Sequence, residues 1–182
     1  MSMCKYCRKS GGCILPEWYL RAVTKGDMYC DHFKSALPRI SMNMTTPSFV
    51  TMNKVRTRRK WQPATVKRFV KGTKFLGVQR CYGGEALGVG EITDEPFKQN
   101  TKEMSEDEYQ NEGFDYLDTM FGELSDGYMI PLFSALQDWR NKAEIMTVVP
   151  FRVIEVFPGQ MAKYTTDEEI KRCVKALVKA IG

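Results

Sequence analysis

The chain has 182 residues, 43% of them hydrophobic, and its 27 Lys and Arg against 22 Asp and Glu leave a net charge of +5. That length accommodates one domain with a substantial core and a small appendage, but not two full domains. No window approaches the roughly 20 apolar residues that a membrane-spanning helix needs, so a helical membrane protein is excluded.

Residues 1–12 are polar and carry Lys5, Arg8 and Lys9, without the apolar stretch of a secretory signal. A cytoplasmic location with reduced thiols is therefore expected. Four of the six cysteines and the single histidine fall in the first fifth of the chain, as Cys4-x-x-Cys7, Cys13 and Cys30-x-His32. Thiolate and imidazole are the preferred tetrahedral ligands of zinc, and a short Cys-x-x-Cys hook is a common half-site. The expectation is a structural zinc held by Cys4, Cys7 and Cys30, with either Cys13 or His32 as the fourth ligand. Free cysteines are the alternative reading. Residues 35–46 show weak periodicity and read as a connection into the main domain.

Pro47 precedes a strand-like start at residues 49–52, which the basic run 54–59 continues. After Gln62-Pro63, residues 64–70 suit a helical turn, residues 73–80 a second strand and residues 86–92 a glycine-alternating third strand. From Lys54 to Arg80 there are ten cationic residues and no acidic one, with Trp61, Phe69 and Phe75 interleaved, whereas residues 91–126 are rich in Asp and Glu. A basic block with aromatic rings suits a nucleic acid or a nucleotide. The competing reading is that the basic and acidic segments face each other within the fold.

Ser105 with Asp107 and Glu108 predicts a helix start that runs to Glu112 before Gly113 ends it. Helical spacing continues over residues 114–121, and a second helix over 130–140 should bury Leu132, Phe133 and Leu136. Residues 145–156 form the most strand-like run, with Pro150 marking a bulge or an edge. A capping box at Thr165 or Thr166 opens a terminal helix whose stripe of Ile170, Cys173, Val174, Leu177, Val178 and Ile181 should pack back on the sheet, a protein partner or self-association being the alternative.

Within Lys54-Val55-Arg56-Thr57-Arg58-Arg59, a potential amine base, a hydroxyl nucleophile and fixed guanidinium groups stand close together in sequence. The order of basic strand, Gly-led strand, glycine-rich strand, acidic helix and closing strand resembles the ASCH domain, a small barrel of the PUA-like class. The likeness covers roughly residues 49–157 and is carried by Lys54-x-x-Thr57-x-Arg59, Lys71-Gly72-Thr73, and Ser105-Glu106 through Glu112-Gly113-Phe114. It implies an α+β fold with a PUA-like β-barrel of about five strands and flanking helices. With it go three segments: a zinc-binding region and connection at 1–46, the barrel with a helical insertion at 47–158, and the terminal helix at 159–182.

Some ASCH proteins are amidohydrolases that remove the acetyl group of N4-acetylcytidine with a lysine, a threonine and a glutamate, and others bind RNA without catalysis. The resemblance places the catalytic roles on Lys54, Thr57 and Glu112. Arg56, Arg58, Arg59, Lys60 and Trp61 are then the candidate contacts for RNA, single-stranded DNA or a modified nucleoside. Arg56 and Arg58 depart from the family's pattern, in which apolar residues usually stand at those places. Residues three apart on a regular strand point to opposite faces, so Lys54 and Thr57 can meet only if the backbone bends between them. A nearby Glu112 also favours the ammonium form of Lys54, which opposes its use as a base.

Overall fold

The computed structural model describes residues 37–80, 82, 84–124 and 132–181. Cys4, Cys7, Cys13, Cys30 and His32 therefore lie outside the described residues, and no cluster of metal-ligating side chains occurs among those described. The fold is α+β. Six strands, β1 (Arg39–Ser41), β2 (Arg56–Arg59), β3 (Lys74–Val78), β4 (Ala86–Ile92), β5 (Phe97–Asn100) and β6 (Ile145–Val156), form one mixed sheet. Its order is β1-β3-β4-β6-β2, with β5 also paired to β6, and only the β1–β3 pair is parallel.

The organising strand is β6, whose β-branched run favours extended backbone. Its first half lies between β2 and β5, and its second half pairs with β4. Register shifts at Gly77/Val78 and at Val89/Gly90 curl the sheet. A Cβ on Gly88 would run into the Glu155 carbonyl oxygen, so the glycine permits the close approach of two backbones. Pro150 is not a bulge: it pairs in register with Arg56 where the β2 ladder ends, and the irregularity in β6 lies further on, opposite Val89 and Gly90. The sheet path is open, with β1 and β2 at its ends. The Arg59 guanidinium spans those ends by donating to the Ser41 carbonyl, so the barrel expected from the resemblance is present as a curled, open sheet.

Other local expectations are corrected as well. Residues 49–52 are not a strand: helix α1 (Thr46–Val50) has Pro47 in its first turn, where the fixed φ of proline is already helical and its missing N–H costs nothing. The segment read as a connection contains β1, too short for its alternation to register. Strand β5 went unread because Lys98, Gln99 and Asn100 are polar, and it forms through its backbone pairing with β6.

Among the described residues six further α-helices follow, α2 (Pro63–Val66), α3 (Asp107–Asn111), α4 (Phe114–Leu124), α5 (Leu132–Asn141), α6 (Gln160–Tyr164) and α7 (Asp167–Ile181), with short 3-10 turns at Asn43–Thr45 and Thr101–Glu103. The Thr166 hydroxyl accepts the Glu169 N–H at 3.3 Å, which caps α7 as its sequence predicts. Instead of packing back on the sheet, α7 buries Ile170, Cys173, Val174, Leu177 and Ile181 against Phe114 and Leu117 of α4 and Leu132 and Leu136 of α5. Those helices carry apolar faces that no strand covers, so the three cover one another. Phe133, expected in this core, points outward and is 45% exposed. A second core fills the curl of the sheet with Ile40, Phe49, Phe75, Leu87, Val149 and Phe151. No described helix is long and apolar enough to cross a membrane.

Candidate active site

Lys54 precedes β2 and is held from two sides. The Val55 N–H donates to the Asn111 carbonyl at the end of α3 at 3.0 Å, and the Val55 carbonyl accepts the Phe151 N–H of β6 at 2.8 Å. Glu112 is the C-cap of α3, and Gly113 follows in the left-handed region at φ +78°. That turn is tight. The Ser48 hydroxyl of α1 donates to the Gly113 carbonyl at 2.5 Å, and a Cβ on Gly113 would strike the Ser48 side chain and come within 3.1 Å of the Lys54 Cβ. One glycine therefore lets the end of α3, α1 and the Lys54 backbone converge.

The convergence brings Lys54 and Glu112 together across 58 residues. Lys54 Nζ donates to Glu112 Oε2 at 2.7 Å and to the Glu112 carbonyl oxygen at 2.6 Å. The other carboxylate oxygen, Oε1, accepts from Arg58 Nη1 at 2.8 Å. Arg58 Nη2 pairs with Glu108 Oε2 at 2.8 Å and donates to Gln99 Oε1 at 2.7 Å, while Arg56 pairs with the remaining oxygen of Glu108. The Lys54 and Arg58 side chains are each 1% exposed, so these charges sit essentially out of water.

Burial dominates the protonation of Lys54, pushing its pKa down from 10.5 to about 8; the charge and hydrogen bond of Glu112 oppose this, and Arg59 and Arg58 reinforce it. Burial also pushes the Glu112 carboxyl up. The opposing charges of Lys54 and Arg58 and the Lys54 hydrogen bond outweigh that, and hold it below the ordinary carboxylate range. The conflict foreseen in the sequence is thus resolved by magnitude, because desolvation of the ammonium exceeds the pull of the carboxylate.

Thr57 is buried, and its Oγ1 has no hydrogen-bond partner among the described residues. It pairs in register with Val149 of the sheet core, whereas Arg56 and Arg58 on either side both reach Glu108. Strand alternation therefore turns the Thr57 hydroxyl to the other face of β2, and no hydrogen bond joins it to Lys54. Arg59 donates to the Ser41 carbonyl and to the Arg58 carbonyl. Lys60 pairs with Glu144 at 2.6 Å on the surface. Trp61 stacks on Phe69 with centroids 4.6 Å apart and packs against the sheet core.

Lys54, Glu112, Arg58 and Arg59 form one wall of a cavity of about 320 Å³, and Phe114, Trp139, Leu177 and Ile181 contribute apolar surface to it. Its lining draws on β2 and on α4, α5 and α7 and mixes polar with apolar groups, as small-molecule sites commonly do. A second cavity of about 580 Å³ is larger and chemically quieter: Lys163 pairs with Glu85 at 2.6 Å and Arg172 with Glu169 at 2.5 Å, all near solvent. Sequence reasoning missed Glu108 and Gln99. The signal for Glu108 was present, since four-residue spacing from Glu112 places both carboxylates on one face of α3.

No family model matches the chain, and no curated protein matches it. Among solved structures, the crystal structure of protein EF3133 from Enterococcus faecalis V583, described under the family model DUF984, superposes with a TM-score of 0.42 at 15% sequence identity, covering 77% of this chain and 92% of that one.

Proposed function

We propose that this protein is an ASCH-type amidohydrolase acting on a small acylated nucleobase, of which N4-acetylcytidine is the first candidate, with Lys54 as general base and Glu112 as the group that orients it. The observation that carries the reading is a lysine buried in a carboxylate's grip whose pKa nevertheless lies at about 8, on the wall of a cavity. Shifted groups of this kind concentrate at functional sites. Buried ion pairs contribute little to stability in themselves, so stability alone gives no reason for this one.

In the reaction, neutral Lys54 takes a proton from the nucleophile as it attacks the acyl carbon. The C–N bond then breaks, and the Lys54 ammonium returns a proton to the departing amine, leaving a carboxylic acid and a free nucleobase amine. Arg59, on the same cavity wall, supplies positive charge for the oxyanion. The resemblance assigns the nucleophile to Thr57. Its hydroxyl does not line the cavity and makes no bond to Lys54, and this favours a water molecule instead.

The alternative, a non-catalytic RNA- or single-stranded-DNA-binding module, is weakened at Arg58, which is buried and paired with Glu112 and Glu108 and so not presented to phosphates. A structural zinc on Cys4, Cys7, Cys30 and either Cys13 or His32 completes the proposal. Elemental analysis should find about one zinc per chain.

The deciding experiment is chromatography of N4-acetylcytidine incubated with wild type, Lys54→Ala, Glu112→Gln and Thr57→Val. Wild type should release cytidine with a rate that rises with pH through about 8, where Lys54 becomes neutral. Lys54→Ala should lose about 10²-fold or more, as general-base losses do. Thr57→Val retains activity if water is the nucleophile and abolishes it if Thr57 is. Absence of cytidine release by wild type, or full activity of Lys54→Ala, defeats the hydrolase reading.

A further inference from the structure

A base that shares a buried hydrogen bond with a carboxylate faces a charge problem. When Lys54 loses its proton, the cation opposite Glu112 disappears, and an unpaired carboxylate in a dry site is unstable. An isolated lysine–glutamate pair would avoid this by keeping one proton between them, which leaves no free base. In this structure Glu112 has two cations, one on each oxygen: Lys54 on Oε2 and Arg58 on Oε1. Arg58 is also fixed from behind by Glu108 Oε2 and Gln99 Oε1. A guanidinium is a permanent cation in proteins, which makes Arg58 a standing counter-ion for Glu112.

We infer that Arg58 is a positioning residue of this site: it keeps Glu112 a carboxylate while Lys54 sheds its proton, and so separates the orienting group from the base. Arg58 lines the cavity and contacts Glu112, Glu108 and Gln99, and its effect on Lys54 is carried through Glu112. The charged groups facing Lys54 are Glu112 from the end of α3 and Arg58 and Arg59 from β2, with Glu108 and Arg56 one contact further away. The cavity-lining residues of α7, Leu177 and Ile181, bring no charge. The use of this arrangement in hydrolysis rests on the reading above, but the arrangement itself can be tested with no substrate present.

The test is NMR titration of protein labelled with [13C]lysine and [13C]glutamate, the Lys54 signal being identified by its loss in Lys54→Arg. Wild type should show Lys54 titrating near about 8 while the Glu112 carboxyl keeps its ionised shift throughout. Arg58→Gln should move the Lys54 midpoint up, leaving less neutral amine at a fixed pH. Arg58→Lys, which retains a cation, should bring it back toward wild type. An unmoved midpoint in Arg58→Gln, or an Arg58→Lys that titrates like Arg58→Gln, overturns the inference. Where Arg58→Gln does not fold, wild type decides: a Glu112 carboxyl that is protonated at pH 7 overturns the inference, and an ionised one supports it. A silent hydrolysis assay together with a shifted midpoint would fault the hydrolase reading and leave this one standing.

Discussion

Two ion pairs stand at the two ends of β2 and have almost the same length, Lys54–Glu112 at 2.7 Å and Lys60–Glu144 at 2.6 Å. The first pair is 1% and 4% exposed and the second 65% and 32%. Distance alone would rank them equal. Burial separates them, because water screens the second pair and leaves it with little energy, whereas the first pair has lost its hydration and depends on its partners for everything. The lesson is that the chemistry of this strand is set by which end the helices cover, and not by its uniformly basic sequence.

The comparison would break most visibly at Glu112. Replacing it by Gln leaves Lys54 and Arg58 without their shared anion, and the expected cost is about 3–5 kcal/mol in urea denaturation. A loss under about 1 kcal/mol would mean that the cluster is wetter than its burial implies.

The next effect is a pH slope. Lys54 has a folded pKa of about 8, below the ordinary 10.5, so between those values the unfolded chain binds more protons than the native one and stability due to this group rises with pH. Wild type compared with Lys54→Met should therefore gain stability from pH 8 toward 10. Glu112, depressed when folded, acts at the other end: its contribution is complete above its ordinary 4.5 and is lost as the pH falls through its lower folded value.

Smaller still, Thr57→Val removes a buried hydroxyl that has no partner and should stabilise the fold by about 1 kcal/mol. Destabilisation instead would reveal a partner for that hydroxyl. The smallest effect belongs to the exposed pair, where Lys60→Ala should change stability by less than about 1 kcal/mol, and by less again in high salt.

The sequence was most legible where local preference and tertiary demand agree. The β-branched run gave β6 its observed ends, the glycine alternation gave β4, and the capping box at Thr165 or Thr166 marked the start of α7. It was least legible where pairing overrides composition, as in polar β5, or where a single proline reverses the apparent pattern, as in α1. The site divides in the same way. Lys54 and Glu112 could be nominated because their types and order resemble a known element, but the roles of Glu108 and Gln99 exist only once α3 and β5 lie beside Arg58. The uniformly basic run of β2 also hid the fate of Arg56 and Arg58, which the basic block advertised for phosphates and the fold committed to carboxylates.

The double pairing of β6 has a consequence for motion. Thr147 and Val148 lie in ladders on both sides, with β2 at Arg59 and Arg58 and with β5 at Lys98 and Phe97. Freeing such residues requires two ladders to part together, which places this stretch among the slowest-exchanging amides of the chain. The short edge strand β1, with one neighbour, opens far more cheaply. β2 also has a single neighbouring strand, but the buried ion pairs of Arg58 with Glu108 and Glu112 fasten it to α3 as well. Local breathing can therefore loosen the β1 edge many times over without disturbing the backbone beneath the charge cluster.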